Sequence, residues 1–418
     1  MDICDRKECT ACGACINSCP KQCIGWEKDD YDTLYPHVDE DKCINCKACI
    51  RACHNINKSL QLYKPRNAYA AWSLDEENRR TSASGGLSSV LYKYVIQQSG
   101  FATGVEFSRR NGAHYIVLNN IDDIQRVKNS KYVFSHTDDI FKTIKQELRN
   151  DRYVLFIGLP CQVAALKTYL GVLSDSDNLL LVDLLCHGIV NETYLFQYLQ
   201  DIERKVGMEA DEVCFRDPAF GTEGYRFTLR VKRYPSSQRV SPRTLCDDDT
   251  ILYNQSHTDN NLYMMGYMND LIFRENCYQC HYARSERVGD LTFGDFDGLG
   301  IDTPCNYSSK KVSLLLVNTD KGERALSKIS SELFLEERDI NEAIRHQSQL
   351  REPTKRHPLR QEFLENYKQY HDYSKAAFPL LKAELKRNRI RLKKIRIKQF
   401  IKKFIPSSIL SSFKGLCF

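Results

Sequence analysis

Two stretches of the chain place a short apolar run directly before a segment with helical spacing. Residues 153–157 are continuously apolar and are followed by a helically spaced segment at 163–170. Residues 179–185 and 194–199 repeat the pattern. A buried strand, a tight turn and a helix form the repeating unit of an open α/β sheet. These stretches therefore predict consecutive strands of one sheet, with ligands collecting at their carboxyl ends.

Other apolar segments predict the remainder of this domain. Apolar residues from Leu87 to Val95 recur at helical spacing, and a charged helical region runs to about residue 374. Further strands are predicted at 115–118, 213–216, 226–232 and 312–317. The fold class expected is an α/β main domain, an open mixed sheet with flanking helices.

Eight cysteines near the N-terminus repeat the spacing C-x2-C-x2-C-x3-C. The two copies are Cys9, Cys12, Cys15 and Cys19, then Cys43, Cys46, Cys49 and Cys53. Three closely spaced thiolates suit one iron-sulfur cube, while the fourth points to a second cube. We expect two 4Fe-4S clusters with crossed ligation, Cys53 joining the first three cysteines and Cys19 joining the second three. Zinc or disulfides also suit cysteine pairs, but neither needs two equal sets of four. The stretch thus predicts a small α+β domain of the bacterial ferredoxin type in front of the main domain.

Four more cysteines are candidates for a third metal site built from distant segments. Cys161 and Cys186 each follow a predicted strand, and Cys277 and Cys280 have the two-residue gap of a cluster motif. Consecutive strands can bring their carboxyl ends together, so all four thiolates could share one site. Four thiolates suit a 4Fe-4S cluster and a zinc ion equally well.

A small-residue segment ending in Ser84, Gly85 and Gly86 runs into the helix predicted from residue 87. Helix starts expose unpaired N–H groups and bind phosphate, although serine and glycine are also ordinary helix caps. Lys131 is a candidate charge partner for a cofactor phosphate or a flavin ring, with a solvated surface lysine as the alternative. His187 follows Cys186 in a turn and is a candidate catalytic proton donor; a structural histidine is the alternative.

Charge is unevenly distributed along the 418 residues. The chain has a net charge of +6, yet residues 382–418 hold twelve Lys or Arg against one Glu, so the remainder is net negative. This argues against a nucleic-acid-binding body. The basic tail suits an anionic membrane surface, with a protein partner as the alternative. No run approaches the 18 apolar residues of a membrane span, and the N-terminus lacks an apolar leader. These features predict a cytoplasmic protein. If the tail binds lipid, the protein is expected at the inner face of the membrane.

Over roughly residues 65–310 the chain resembles the coenzyme F-420 hydrogenase/dehydrogenase beta subunit family. The resemblance rests on Ser84-Gly85-Gly86, Ser130-Lys131-Tyr132-Val133, Gly158-x-Pro160-Cys161-Gln162, Cys186-His187-Gly188, Cys277-x-x-Cys280, and Gly289-Asp290 with Gly294-Asp295. It implies an FAD-binding domain with its own 4Fe-4S cluster near the flavin. It favours iron over zinc at the third site, and it makes Ser84, Gly85, Gly86, Lys131 and Tyr132 the flavin candidates.

The domain organisation predicted is a ferredoxin-like domain at 1–60, the two parts of the flavin domain at 65–150 and 151–310, a strand and helical extension at 311–375, and a basic tail at 376–418. The leading functional hypothesis is an iron-sulfur flavoprotein oxidoreductase. Electrons from ferredoxin or another redox partner would pass through the clusters to FAD and on to a small-molecule or lipid-linked acceptor. The tail resembles that of proteins associated with surface-polysaccharide synthesis.

Two other hypotheses remain open at this stage. One is an electron-transfer subunit of a larger hydrogenase- or dehydrogenase-type complex, with no substrate of its own. The other is a binding protein whose redox sites have degenerated.

Overall fold

The structure is a computed structural model that describes residues 2–57, 60–221, 225–231, 250–258 and 261–404. Its strands are β1 (Ile24–Lys28), β2 (Leu34–Val38), β3 (Asn67–Ser73), β4 (Phe101–Ser108), β5 (Gly112–Leu118), β6 (Ser135–His136), β7 (Val154–Gly158), β8 (Leu179–Leu184), β9 (Glu212–Cys214), β10 (Phe227–Val231), β11 (Thr250–Gln255), β12 (Leu291–Asp295), β13 (Ser313–Val317) and β14 (Leu333–Arg338).

Its α-helices are α1 (Ala14–Ser18), α2 (Ala48–Ala52), α3 (Glu76–Arg80), α4 (Leu87–Gln97), α5 (Ile124–Val127), α6 (Ile140–Arg149), α7 (Pro160–Leu170), α8 (Glu192–Val206), α9 (Leu262–Met268), α10 (Asp320–Ile329), α11 (Ile340–His346), α12 (Arg360–Tyr370) and α13 (Tyr373–Phe404).

A nine-stranded mixed sheet organises the main domain, with the order β14-β3-β13-β12-β8-β7-β4-β5-β6. The pairs β12/β8, β8/β7 and β7/β4 are parallel, whereas β13 pairs antiparallel with both β12 and β3. The prediction of a mixed α/β sheet is therefore confirmed. The carboxyl ends of β7 and β8 lie side by side, at the same edge of the sheet.

Helices cover both faces of the central strands because successive side chains of a strand point to opposite sides. In β7, Leu155 and Ile157 pack with α4 and α10, while Val154 and Phe156 pack with α6 and α7. All four side chains are at most 5% exposed. Burial on both faces explains why these strands are continuous apolar runs in the sequence.

A small N-terminal module packs against this domain. Its β1 and β2 form an antiparallel pair, and α1 and α2 each lie within one cysteine copy and contain its third cysteine. Asn17 donates to the carbonyl of Asp138 at 2.6 Å, and Thr137 donates to the carbonyl of Cys12 at 2.9 Å. The module is thereby held against the start of α6 by hydrogen bonds in both directions.

The sheet crosses the domain boundaries that the sequence predicts. β3, from the 65–150 segment, lies between β13 and β14, both from the 311–375 segment. The strand at 226–232 corresponds to β10, with residue 232 outside the described residues; β10 joins β9 and β11 in a separate antiparallel sheet. Segments from both ends of the range 65–375 thus contribute neighbouring strands to one sheet.

The basic tail begins as part of the core. α13 starts at Tyr373, and its buried residues Tyr373, Ala376, Ala377, Leu381 and Leu385 pack in a cluster with α8, α9 and α12. Farther along, Ile390, Ile395 and Ile397 are exposed. Residues 405–418, which include the apolar end of the predicted anchor, lie outside the described residues. No helix in the described part of the chain is long and apolar enough to cross a membrane.

Candidate functional site

The first cysteine set, Cys9, Cys12, Cys15 and Cys53, converges across the two copies of the motif. Burial raises the pKa of Cys15, and the nearby charges of Cys12, Cys9 and Cys53 raise it further. Burial also raises the pKa of Cys12 to about 12. The structure therefore brings Cys53, from the second copy, to the three thiols of the first.

The second set, Cys19, Cys43, Cys46 and Cys49, lines one cavity of about 320 Å³. Here Cys19 of the first copy joins three thiols of the second. Cys46 is exposed, and Cys43 and Cys49 are partly exposed. This set is therefore the one nearest to solvent.

The backbone around both sets has a shape suited to anionic clusters. Ala11 and Gly13 in the first copy, and Asn45 and Lys47 in the second, all have positive φ values between 50° and 75°. Alternation of right- and left-handed backbone turns N–H groups into a concavity, an arrangement found around phosphates and iron-sulfur clusters. Three of these residues are not glycine, so the strained conformation is held by the surrounding structure. The residues present thus fit two 4Fe-4S clusters.

The third set, Cys161, Cys186, Cys277 and Cys280, lines a single cavity that encloses about 720 Å³ together with adjoining open solvent. Burial raises the pKa of each of these thiols, and the charges of Cys186, Cys280 and Cys277 raise that of Cys161 further. Cys161 lies in the first turn of α7, where the helix dipole favours a thiolate. A ligand that neutralises four thiolates fits this arrangement.

No three His, Cys, Asp or Glu side chains within the described ranges are arranged so that they could hold one metal ion. A zinc ion draws four thiolates to about 2.3 Å from a single centre. A 4Fe-4S cube instead binds each thiolate to a different iron. Four thiolates suit either metal, and only the family resemblance favours the cube at the third set.

A buried ion pair fixes the segment that carries Cys186. Asp183, at the end of β8, accepts hydrogen bonds from Arg287 Nη2 at 2.6 Å and from the backbone N–H groups of Val288 and Gly289 at 3.1 and 2.8 Å. Both members of the pair are at most 2% exposed. Asp290 accepts from the Leu181 N–H at 2.9 Å. The Gly289-Asp290 motif thus holds neighbouring strands and loops in register.

The first and third sets adjoin each other. The charge of Cys12 acts on Cys161, and Tyr282, which lines the third cavity, donates or accepts a 2.7 Å hydrogen bond with His54 Nδ1. His54 Nε2 is 3.1 Å from the hydroxyl of Thr10. Burial lowers the pKa of His54 to about 3, so the ring is neutral. This histidine, which stands where a proline is usual in the motif, connects the module to the third site.

A large cleft lies on the other side of the third set. It encloses about 2030 Å³, part of it open to solvent, and Cys186, His187, Gly188 and Ile189 line both this cleft and the third cavity. Ser84, Gly86, Lys131 and Tyr132 line the cleft as well. Four of the five flavin candidates are therefore brought together next to the third set.

Gly85 is the exception, because it is packed into the sheet. A Cβ atom at this position would lie 2.5 Å from the Ala71 carbonyl oxygen, and the Gly85 N–H donates to Ser313 Oγ at 2.9 Å. Gly86 has φ +84° and precedes α4, and the first residues of that helix, Leu87 to Ser89, also line the cleft. Gly85 therefore allows close packing, while Gly86 and α4 offer the anion site.

Lys131 is half-buried, without a carboxylate partner among the described residues. Its ammonium group donates to the carbonyls of Val127 and Lys128 at 2.8 and 2.7 Å, and burial lowers its pKa to about 7. Lys128 also lines the cleft, and burial lowers its pKa to about 8. These two cations and the N-terminus of α4 suit a phosphate-bearing cofactor. The lining of the cleft therefore fits the phosphates of the FAD that the family resemblance implies.

His187 makes two side-chain contacts that restrain its ring. Nε2 lies 2.9 Å from Asp270 Oδ1, and Nδ1 contacts the amide of Gln349. The ring also packs against Tyr267 and Phe273, with centroids 6.0 and 5.7 Å apart. His187 stands between the third cavity and the cleft, but both ring nitrogens already have partners.

Three polar or thiol groups near these sites were not assigned from the sequence. Cys23 Sγ lies 3.3 Å from Cys19 Sγ, and hydrogen bonding to Cys53 and Cys9 raises the pKa of Cys4. Asn129 lines the cleft with φ +68° and a buried side-chain oxygen that has no hydrogen-bond partner in the described residues. Asparagine tolerates the left-handed backbone region better than most residues do. An asparagine directly before Ser130 and Lys131 was therefore the sequence feature that could have indicated a turn at the cleft.

Two family models match the chain. Residues 8–55 match the 4Fe-4S dicluster domain, and residues 151–343 match the C terminus of the coenzyme F420 hydrogenase/dehydrogenase beta subunit. The first match contains the eight cysteines of the module, and the second contains the third set.

Several relatives are similar to parts of the chain. The F subunit of the F(420)H(2) dehydrogenase of Methanosarcina mazei is 21% identical over 44% of this chain and 55% of its own length. A ferredoxin of Methanocaldococcus jannaschii is 36% identical over 15% of this chain and 82% of its own length. The coenzyme F420-dependent sulfite reductase of that organism is 22% identical over 40% of this chain and 26% of its own length. The chain thus spans about half of the dehydrogenase relative and a quarter of the reductase.

Among solved structures, a chain of the F420-reducing [NiFe] hydrogenase complex from Methanosarcina barkeri is similar at 17% identity and a TM-score of 0.39, covering 66% of this chain and 83% of that one. The two family matches account for the module and for the segment that carries the third set. Residues 151–343 therefore carry the C-terminal domain of the coenzyme F420 hydrogenase/dehydrogenase beta subunit family, and residues 8–55 in front of it carry a 4Fe-4S dicluster domain.

Proposed function

We propose that this protein is an iron-sulfur electron-transfer subunit that carries electrons between a redox partner and a flavin held in the cleft. The observation that carries the proposal is the position of the third set. Its cavity is also lined by Thr10 and Asn55, which lie next to Cys9 and close to Cys53 in the module, and it shares Cys186 to Ile189 with the cleft. The third set of thiols therefore lies between the N-terminal module and the cleft, and no other domain separates them in the described part of the chain.

In this proposal each set binds a 4Fe-4S cluster, and the cleft binds FAD. Clusters transfer single electrons, and a flavin exchanges one or two. The exposed Cys46 makes the second set the place where a partner would exchange electrons, and the first and third sets lead inward to the cleft. Lys128, Lys131 and the N-terminus of α4 would hold the cofactor phosphates, and Tyr132 would flank the flavin.

Relatives named as part of a dehydrogenase and as a sulfite reductase support a role in electron transfer between redox proteins. A second candidate function is a flavoprotein reductase with its own organic acceptor. The observation that favours it is that the cleft opens to solvent beside the third set, which would let an organic acceptor reach a bound flavin. A lipid-linked acceptor in surface-polysaccharide synthesis stays a prediction from the basic tail.

The test is the iron, sulfide and flavin content of the anaerobically purified full chain, compared with a Cys277→Ser variant. We expect about twelve irons and one FAD per chain, since each cube holds four irons, and about eight irons in the variant. Cys305→Ser is the matched control, because Cys305 lies outside all three sets and should leave the iron content unchanged. Eight irons in the unaltered protein, or no flavin, would overturn the proposal.

A second measurement separates the two candidate functions. The reduced protein is mixed with a panel of organic acceptors without any partner protein, and reoxidation of the flavin is followed by its absorbance. Reoxidation only when a partner copurifies supports the electron-transfer subunit. Multiple turnovers of the isolated chain would favour the reductase.

A further inference from the structure

Two buried arginines beside the third set lack an acidic partner. Arg274 and Arg360 are 3% and 5% exposed, and no carboxylate in the described part of the chain forms an ion pair with either guanidinium. The Nε atoms of both are buried without a hydrogen-bond partner there. Other deeply buried arginines differ in this respect: Arg287 is paired with Asp183, and Arg338 with Glu342.

Arg274 lies between the N-terminal module and the third set. Its Nη2 donates to the carbonyls of Leu34 at 3.0 Å and, more weakly, of Cys9 at 3.4 Å. Its guanidinium carbon lies 5.3 Å from the ring centre of Tyr35. Its own carbonyl accepts from the N–H of Cys277 at 3.0 Å. Arg274 thus contacts the backbone of a cysteine from the first set and of one from the third.

Arg360 reaches the third set from α12. Its two terminal nitrogens donate to the carbonyls of Leu271 and Phe273 at 3.0 and 2.7 Å. The guanidinium carbon lies 5.8 and 5.6 Å from the ring centres of Tyr278 and Phe363. It has no contact with the described residues of the N-terminal module.

A buried charge is expensive unless an opposite charge compensates it. The carbonyl and aromatic contacts of Arg274 and Arg360 supply partial charges only. Both arginines instead adjoin cysteines: Arg274 contacts the backbone of Cys9 and of Cys277, and Arg360 packs against the ring of Tyr278, the chain neighbour of Cys277. The missing countercharge is therefore an anion held by these cysteines.

We propose that Arg274 and Arg360 are fixed countercharges for thiolate-bound clusters, Arg274 for those at the first and third sets and Arg360 for the one at the third set alone. The inference rests on the proposed function, because it requires a cluster at the third set. Reduction adds one electron to a cluster, without proton transfer or bond cleavage, and each nearby cation stabilises that added charge. With two such arginines against one, the third set is favoured over the first, which draws electrons towards the cleft.

The experiment is a potentiometric titration of the anaerobic full-length protein with dithionite, followed by electron paramagnetic resonance of each cluster. Arg360→Gln should shift only the third signal to a more negative potential, and Arg274→Gln should shift the first and third. We expect at least a tenfold loss in the reduced fraction at fixed potential, which is about 59 mV for a one-electron couple. Arg274→Lys keeps the charge and should restore most of the potential, which a purely structural role would not predict.

Arg338→Gln is the control for loss of a buried arginine, since Arg338 is paired with Glu342 and lies away from the cysteine sets. It should leave all potentials unchanged. If Arg274→Gln does not fold, Arg360→Gln still tests the inference, because Arg360 makes no contact with the described part of the module. About twelve irons with unchanged potentials in the arginine variants would overturn the countercharge role and leave the proposed function intact. About eight irons in the unaltered protein would instead overturn the third cluster and, with it, the role of Arg360.

Discussion

Replacing Asp183 by Asn should destabilise the main domain by several kcal/mol, although the two side chains have the same shape. Asp183 is fully buried and accepts from Arg287 and from the N–H groups of Val288 and Gly289. The amide removes the charge that compensates Arg287 and turns an N–H group towards other donors. Breaking one side of a buried ion pair costs about 3–5 kcal/mol. That is a large share of a typical stability of about 5–15 kcal/mol.

The assay is urea unfolding of the anaerobic protein, followed by tyrosine fluorescence, together with iron content. We expect a lower midpoint with an unchanged slope, and loss of iron from the third set, because Arg287 lines the same cavity as Cys186 and Cys280. Asp320→Asn, which disturbs the exposed pair with Arg66, should change little.

The double variant Asp183→Asn/Arg287→Met gives the decisive comparison. If the cost comes from an uncompensated buried cation, removing both partners should recover much of the lost stability. A single Asp183→Asn variant that loses less than about 1 kcal/mol, the scale of an ordinary hydrogen bond, would refute the reasoning.

Three further predictions follow from the fold and the cleft. Gly85→Ala should lower the urea midpoint of unfolding, because a Cβ atom at this position would lie 2.5 Å from the backbone of β3. Gly25→Ala is the control and should leave the midpoint unchanged, because a Cβ atom there would have no neighbour within 4 Å. Equal midpoints for the two variants would contradict the packing role of Gly85. A chain ending at Ser374 should lose its folded state because it lacks the buried part of α13, whereas a chain ending at Lys386 should keep its melting temperature. Burial lowers the pKa of Lys131 to about 7, so the folded state binds this proton less tightly than the unfolded state does. From pH 7 to 10 the unaltered protein should therefore gain stability relative to the Lys131→Met variant. Parallel pH profiles of unfolding for the two proteins would contradict this prediction.

The local sequence determined the elements with strong periodicity. The mainly apolar runs at 153–157 and 179–185 became β7 and β8, because a strand covered on both faces buries almost every side chain; Asp183 is the polar exception, and it is paired with Arg287. The eight cysteines of the module were recognisable because cluster ligation depends on short spacings along the chain. The family resemblance agrees with the match at residues 151–343.

Strands of mixed character were harder to predict. β3 and β14 were not expected, since β3 has few large apolar side chains and β14 carries Glu336, Glu337 and Arg338; only pairing across the sheet fixes them as strands. The start of the tail was placed near residue 376, yet the first turns of α13 belong to the core; a basic composition does not reveal which apolar residues find a partner.

The sequence alone thus determined the ligand types, their local spacing and the open α/β class, because these depend on residues close together in the chain. Only the tertiary structure decided that Cys12 adjoins Cys161, that Cys186 to Ile189 separate the third cavity from the cleft, and that Gly85 packs in the sheet. It also decided that Arg274 and Arg360 are buried without carboxylates among the described residues. The absence of an acidic partner there is a property of three-dimensional surroundings, and no pattern along the chain records it.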